Sequence, residues 1–207
     1  MTTDVERFIR CFTVARDLIH LYWMHTDGDY PEVGRIRVEN VERATELYSG
    51  ISITKELVDF EAEYLRSVTE KYSDKTAKIY IRSNQPIEWQ KYSAIKEYSH
   101  ILYDDPSEDC ETNPLKTLSF LTSNDPFQLD GGHTPSELSE KITEILALEI
   151  IYPIEWRPKD RKFLDEGGAI SDLVEKRHVP AVHIQRGCSD GAMATSAMLW
   201  KLLNDKN

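Results

Sequence analysis

A strand that leads directly into a helix is the feature that most constrains this chain. Residues 77–84, AKIYIRSN, alternate apolar and polar side chains, as a half-buried strand does. Pro86 then suits the first turn of a helix, and apolar side chains recur near one face as far as about residue 104. The sequence therefore predicts a β-strand followed by a helix over about residues 86–104.

Two more helices and one more strand are predicted in the first 75 residues. Apolar side chains recur at helical spacing from Val5 to Tyr22 and again over residues 55–72, which predicts a helix in each stretch. Residues 34–40, GRIRVEN, alternate like a short strand.

The second half of the chain is predicted to be a long excursion followed by helices. Residues 105–133 are rich in Pro, Asn, Asp and Gly, and loops of this length are usually functional or mobile. Thr134, Pro135 and Glu137 form a capping box, which predicts a helix that ends before Pro153. Two further helices are expected over about residues 168–177 and 193–204. Because no Gly/Ser-rich linker divides the chain, we expect one α+β domain over residues 1–207.

Composition excludes several classes of function. The chain has 36 acidic and 25 basic residues, a formal charge of −11, and no run of Lys or Arg, which argues against direct nucleic-acid binding. Cys11, Cys110 and Cys188 are widely spaced, so neither a disulfide framework nor a thiolate zinc site is expected. No apolar run approaches the roughly 20 residues that span a bilayer, and no signal-peptide cleavage site is evident. These features predict a cytoplasmic protein without a membrane partner.

Lys96, Glu97 and His100 stand where the zinc-peptidase motif H-E-x-x-H has His, Glu and His. In that motif the two histidines face the same side of a helix, and the Glu acts on a metal-bound water. Catalytic zinc needs three protein ligands, but a lysine with an ordinary pKa of about 10.4 is protonated at neutral pH and has no lone pair to offer. Taken alone, the sequence KEYSH can also arise by chance on a helix face that is exposed to solvent.

Other side chains could complete a metal site. Asp104 lies four residues after His100, so the two could form a metal-binding pair, although Ile101 would then stand in the place of the general base. Nothing in the spacing selects among the remaining histidines, which are His133, His178 and His183.

The order of elements around KEYSH resembles the ImmA/IrrE family of zinc peptidases. In that family a strand precedes a helix bearing HELGH, and a later helix carries the third zinc ligand. Here KIYIRSN, KEYSH, the excursion and LALEIIYP follow in the same order, and the resemblance extends over about residues 76–186. With Pro153 as anchor, it implies Glu140 as the third ligand and Glu144, one turn later, as a second candidate. Residues 170–186 resemble the family's closing segment, a helix-turn-helix-like piece.

The resemblance implies a zincin-like fold, with a small twisted sheet packed against several helices. Residues 1–75, which have only a weak counterpart in the family, are expected to be an N-terminal helical extension. The chain departs from the family at Lys96, at Ser99 in place of Gly, and at Thr143 and Glu144 in place of Ala and Asn. Removing one of three ligands weakens zinc binding by more than the tenfold to hundredfold cost typical of an outer-sphere change. Lys96 could instead pair with Glu140 or Glu97 and neutralise a carboxylate in the former metal pocket.

Three interpretations stay open, and they leave enzymatic activity undecided. In the first, the chain is a degenerate, metal-free (pseudo)peptidase that binds a protein or peptide, such as a helix-turn-helix repressor carried with it on a mobile element. In the second, it is an active zinc endopeptidase that cleaves a regulatory protein, with Glu97 as general base, His100 and Glu140 as ligands, and a third ligand from elsewhere. In the third, it is an unrelated α+β binding protein.

Overall fold

The computed structural model describes residues 4–25, 34–61, 65–103 and 135–204. These residues form a mixed α+β fold in which three strands pack against helices. The strands are β1 (Ser52–Val58), β2 (Ser67–Lys71) and β3 (Thr76–Arg82). The eight helices of the described residues are α1 (Asp4–Met24), α2 (Val38–Ser49), α3 (Ile87–Tyr103), α4 (Pro135–Ile151), α5 (Arg157–Asp165), α6 (Ile170–Arg177), α7 (Ala181–Gly187) and α8 (Asp190–Asn204).

Strand β3 is the centre of the sheet, which has the order β1-β3-β2. It runs parallel to β1 and antiparallel to β2, with Ile53 opposite Ala77 and Val68 opposite Tyr80. Its inward side chains, Ala77, Ile79 and Ile81, are buried. Helix α3 follows after a short turn and contacts both β2 and β3. KEYSH is therefore held against the edge of the sheet that β2 forms.

Helix α4 is the buried centre of the helical layer. It contacts α1 on one side and α3 on the other, and nearly all of its side chains from Leu138 onward are buried. The apolar stripe of α1 covers it through residues such as Phe8, Phe12 and Ala15. Because α4 exposes no polar face to water from Leu138 onward, every charged side chain in this part of the helix needs a partner inside the protein.

Buried ion pairs connect α4 to the C-terminal helices. Glu149 Oε1 lies 2.7 Å from Arg157 Nη2, and neither side chain is exposed. Ser196 Oγ donates to the same carboxylate at 2.7 Å. Arg177 donates to both oxygens of Asp160 at 2.8 Å. These contacts fix the positions of α5, α6 and α8 relative to α4.

The predicted strand and the helices around it are confirmed, with small differences at their ends. The first helix runs over Asp4–Met24, the strand over Thr76–Arg82, the KEYSH helix over Ile87–Tyr103, and the later helix begins at Pro135. The two terminal helices are present as α6 and α8, whereas α2 and α5 were not predicted. The excursion 105–133, Asp104, and the side chains of the capping box lie outside the described residues.

The helix predicted over residues 55–72 is wrong, because its described residues include the end of β1 and all of β2 and no helix. Only Ile53 is buried in β1, so the sequence of this strand lacks the alternation of apolar and polar residues that would have indicated a strand. Residues 1–75, expected to be a helical extension, thus supply two of the three described strands.

The strand predicted over residues 34–40 is also wrong. Ile36 and Val38 are both buried, which produced the alternation, but Arg37 is the last extended residue and α2 begins at Val38. Two buried side chains that lie two residues apart at the start of a helix therefore produced the same alternation as a strand.

Among the described residues, no helix has the length and apolar character needed to cross a membrane.

Candidate functional site

Helices α3 and α4 bring Lys96, His100 and Glu140 together. Lys96 and His100 are four residues apart and share the face of α3 that contacts α4. Lys96 Nζ donates to Glu140 Oε2 at 2.8 Å, and His100 Nε2 lies 3.5 Å from Glu140 Oε1. Only 20% of the Lys96 side chain and 15% of the Glu140 side chain are exposed, so the pair is largely shielded from water.

Both partners of this pair are charged at neutral pH. Burial alone would lower the pKa of Lys96, but the carboxylates of Glu140 and Glu97 outweigh it and raise that pKa above its ordinary value. Burial would likewise raise the pKa of Glu140, but Lys96 and His100 hold it well below its usual range. The contact is an ion pair between an ammonium and a carboxylate.

Thr143 adds a hydroxyl to this group. Its Oγ1 donates to the backbone oxygen of Glu140 at 3.0 Å and lies 3.3 Å from His100 Nε2. The same imidazole nitrogen therefore faces both the Thr143 hydroxyl and the Glu140 carboxylate. Thr143 is one of the departures from the family pattern, and here it provides a hydrogen-bonding partner inside the protein.

Glu97 points away from this group, toward the sheet. Its Oε1 accepts from Ser67 Oγ at 2.7 Å, and its Oε2 accepts from Thr69 Oγ1 at 2.6 Å. The residue is 7% exposed. The carboxylate predicted to be a general base is thus held by two hydroxyls of β2. Sequence reasoning missed Ser67 and Thr69 because they lie in the stretch that was predicted to be helical.

Glu144, the second candidate for the third ligand, is bound to a guanidinium. Arg186 Nη1 donates to Glu144 Oε1 at 2.6 Å, and His183 Nδ1 lies 3.9 Å from the same oxygen. Glu144 therefore joins α4 to α7. His178 lies elsewhere, with Nδ1 2.5 Å from Lys91 Nζ. Asp104 and His133 lie outside the described residues.

A stack of side chains connects α7 to the start of β2 across α3. Arg66 Cζ lies 3.8 Å from the Trp89 ring centroid, the Trp89 and His183 centroids are 5.4 Å apart, and those of His183 and Tyr92 are 3.6 Å apart. Burial, followed by the charges of Arg186 and Lys96, lowers the pKa of His183 well below its ordinary value, so its ring is neutral. The sequence indicated only that Trp89 and Tyr92 share an apolar helix face.

Tyr92 and His183 each end in a buried polar atom. Within the described ranges neither the Tyr92 hydroxyl nor His183 Nε2 has a hydrogen-bond partner. Both atoms belong to the stacked rings of Tyr92 on α3 and His183 on α7.

The backbone of β2 is directed outward next to Glu97. The Arg82 amide donates to the Arg66 carbonyl and the Tyr72 amide donates to the Thr76 carbonyl, both at 2.9 Å. Because inward and outward groups alternate along an antiparallel strand, the backbone N–H and C=O of Ser67 and Thr69 point away from β3. In the sheet formed by the described residues, no strand pairs with this outer edge.

The residues that converge do not fit the zinc site of the family that the sequence resembles. That site needs three lone-pair donors. Lys96, His100 and Glu140 supply one imidazole, one carboxylate and an ammonium, which has no lone pair. In the parts of the chain that the structure describes, no three His, Cys, Asp or Glu side chains form a group that could hold a metal ion.

Among the described residues, the acids of this arrangement are paired with a cation or hydrogen bonded to hydroxyls, and no strand pairs with the outer edge of β2 beside them. No family model matches the chain, and no curated protein or solved structure matches it either.

Proposed function

We propose that this chain is a catalytically degenerate ImmA/IrrE-like (pseudo)peptidase with a zincin-like fold, which acts as a regulatory module that binds a protein. A helix-turn-helix repressor is the class of partner that the resemblance implies. One observation carries the proposal: Lys96 Nζ is bonded to Glu140 at 2.8 Å, and these residues hold the positions of the first and third zinc ligands.

The ion pair removes the chemistry that a zinc peptidase needs. Zinc lowers the pKa of the attacking water and polarises the scissile carbonyl. A buried ammonium that is already paired with Glu140 does neither. Glu97, the residue placed to act as base, accepts a hydrogen bond at each of its oxygens. Among the described residues, the pocket therefore offers neither three lone-pair donors for a metal nor a carboxylate base directed at Lys96, His100 and Glu140.

The outer edge of β2 has the backbone groups that are needed to bind an extended segment. The outward backbone groups of Ser67 and Thr69 can pair with a further strand, a mode in which main-chain hydrogen bonds give affinity and neighbouring side chains give specificity. The Glu97 side chain lies under this edge. The proposed partner segment adds to β2 as an antiparallel or parallel strand.

Metal analysis tests the loss of the zinc site. Protein purified without chelator should contain far less than one zinc per chain and keep its melting temperature in EDTA. Lys96→His restores three lone-pair donors with His100 and Glu140, so this variant should take up one zinc per chain. The control is Lys96→His combined with His100→Ala, which should not.

Two results would overturn the first half of the proposal. One is stoichiometric zinc in the wild-type protein that is lost in His100→Ala. The other is cleavage of a peptide library that disappears in Glu97→Gln. A Lys96→His variant that folds but binds no zinc would refute the descent of this pocket from a metal site.

Partner binding is tested with the helix-turn-helix repressor encoded nearest to this chain. Its binding should be lost in Thr69→Pro, since proline removes the outward N–H without touching the bonds to β3. Thr69→Val is the matched control, because it also lacks the hydroxyl but keeps the N–H. Equal binding by wild type, Thr69→Pro and Thr69→Val would exclude strand addition at β2.

A further inference from the structure

Arg66 is a cation fixed in position at the start of the open strand edge. Its guanidinium lies over the Trp89 ring, with Cζ 3.8 Å from the ring centroid. Arg66 Nη1 donates to Gln85 Oε1 at 3.3 Å, and Gln85 Nε2 donates back to the Arg66 carbonyl at 3.4 Å. Gln85 is 7% exposed, so it is a buried anchor, whereas Arg66 itself remains exposed.

The charge of Arg66 has no carboxylate to balance it among the described residues. Its one side-chain hydrogen bond goes to the amide oxygen of Gln85. Partial burial and the positive charge of Arg82 lower its pKa from the ordinary value. Other arginines nearby do have such partners: Arg186 is bonded to Glu144, and Arg177 to Asp160.

Arg66 lies next to the outer edge of β2. It directly precedes Ser67, the first residue of β2, whose backbone groups point outward. A segment that pairs with Ser67 and Thr69 must therefore pass beside the Arg66 side chain. Because arginine presents a planar fork that matches a carboxylate, and because this one is already ordered by Trp89 and Gln85, little rotamer entropy remains to be lost on binding.

We propose that Arg66 selects extended peptide segments that carry an Asp or Glu side chain where they pass the start of β2. This inference rests on the proposed strand addition and names the kind of segment bound there. A carboxylate, with one charge, matches one unbalanced guanidinium. A phosphorylated side chain would bring a second charge, while Arg82 is already bonded to the Leu65 carbonyl.

A positional-scanning library of acetylated and amidated decapeptides tests this selection. At one position at a time the library holds Asp, Asn, Lys or phosphoserine, and binding to the full chain is measured by fluorescence anisotropy. We expect one position at which Asp binds about tenfold more tightly than Asn, as one charge-assisted pair provides. In Arg66→Gln the Asp and Asn peptides should bind equally, and in Arg66→Glu the preference should reverse toward Lys.

Arg43→Gln is the matched control. Arg43 is an exposed arginine on α2, so this variant removes the same charge away from the edge and should keep the preference for Asp. Thr69→Pro should abolish binding of every peptide.

The outcomes separate this inference from the proposed function. If peptides bind and Thr69→Pro abolishes binding, but Asp and Asn are equivalent in the wild type, strand addition stands and the role of Arg66 is refuted. A preference for phosphoserine over Asp, or a preference for Asp that survives Arg66→Gln, also refutes it. If no peptide binds the wild type, both the strand addition and the selection by Arg66 fail.

Discussion

Replacing Lys96 with methionine removes one charge of the Lys96–Glu140 pair and keeps most of the volume of the side chain. Breaking a buried pair by removing one partner costs about 3–5 kcal/mol, because the other charge is stranded. Here 15% of the Glu140 side chain is exposed and His100 lies 3.5 Å from it, so part of the penalty is relieved. We therefore expect Lys96→Met to lower the free energy of unfolding by about 2–3 kcal/mol. For a chain of this length, that corresponds to a fall in melting temperature of roughly 4–12 °C.

The loss should depend on pH in a defined way. The pKa of Glu140 is lowered from its ordinary 4.5, so its contribution is present above pH 4.5 and is lost as the pH falls through the lower folded value. The pKa of Lys96 is raised from 10.5, so its contribution is present below pH 10.5 and is lost as the pH rises through the higher folded value. The gap in stability between wild type and Lys96→Met should be flat between these limits and should narrow outside them.

Urea unfolding of wild type, Lys96→Met, Glu140→Gln and the double variant measures this coupling directly. The double variant should be less destabilised than the sum of the single changes, since neither charge is then left alone. A Lys96→Met protein within about 0.5 kcal/mol of wild type would refute the ion pair, because that is the range of ordinary surface changes. So would strict additivity in the cycle, since residues in contact do not behave as independent sites.

Two further predictions follow from polar groups in the core. Glu149→Ala strands the fully buried Arg157 and should cost about 3–5 kcal/mol or prevent folding, whereas Glu155→Ala, at an exposed site, should change the melting temperature by less than about 2 °C. Tyr92→Phe removes a hydroxyl that has no partner among the described residues and should leave the stability in urea unchanged or raised. Tyr98→Phe, on the same helix, removes a hydroxyl bonded to a carboxylate and should cost about 1–2 kcal/mol, so equal effects of the two tyrosine variants would contradict the assignment.

The parts of the fold that sequence predicts are those with one strongly patterned face. Strand β3 buries alternate side chains, and α1 buries a continuous stripe, so both are visible in the order of apolar residues alone. Strands β1 and β2 are not visible in this way. They are the two edges of a small sheet, and β1 buries only Ile53, so their extended form is set by pairing with β3 and not by their own pattern.

The same division applies to the site. Lys96, His100 and Glu140 lie on helices that the sequence predicts. The family resemblance, anchored at Pro153, implied Glu140 and left Glu144 as a second candidate. Of the two partners considered for Lys96, the structure pairs it with Glu140 and leaves Glu97 to β2. The hydroxyls that hold Glu97 were hidden because β2 was not predicted. The stack through His183 depends on how α7 docks against α3, which no local pattern encodes.

The carboxylates around Lys96 and His100 each have a partner inside the protein, including at positions that depart from the zinc-peptidase pattern. Buried acids are costly unless they are paired. Lys96 compensates Glu140, and Thr143 meets the imidazole of His100. Glu97 is held by hydroxyls of β2, and Glu144 is compensated by Arg186. Lys96→His removes the ammonium from Glu140, and the Thr143 hydroxyl beside His100 Nε2 is then a remaining contact that competes with zinc at a ligand atom. The zinc affinity of Lys96→His is therefore measured with and without Thr143→Ala. Tighter zinc binding in the Lys96→His/Thr143→Ala variant is the expected sign that Thr143 competes with zinc for His100.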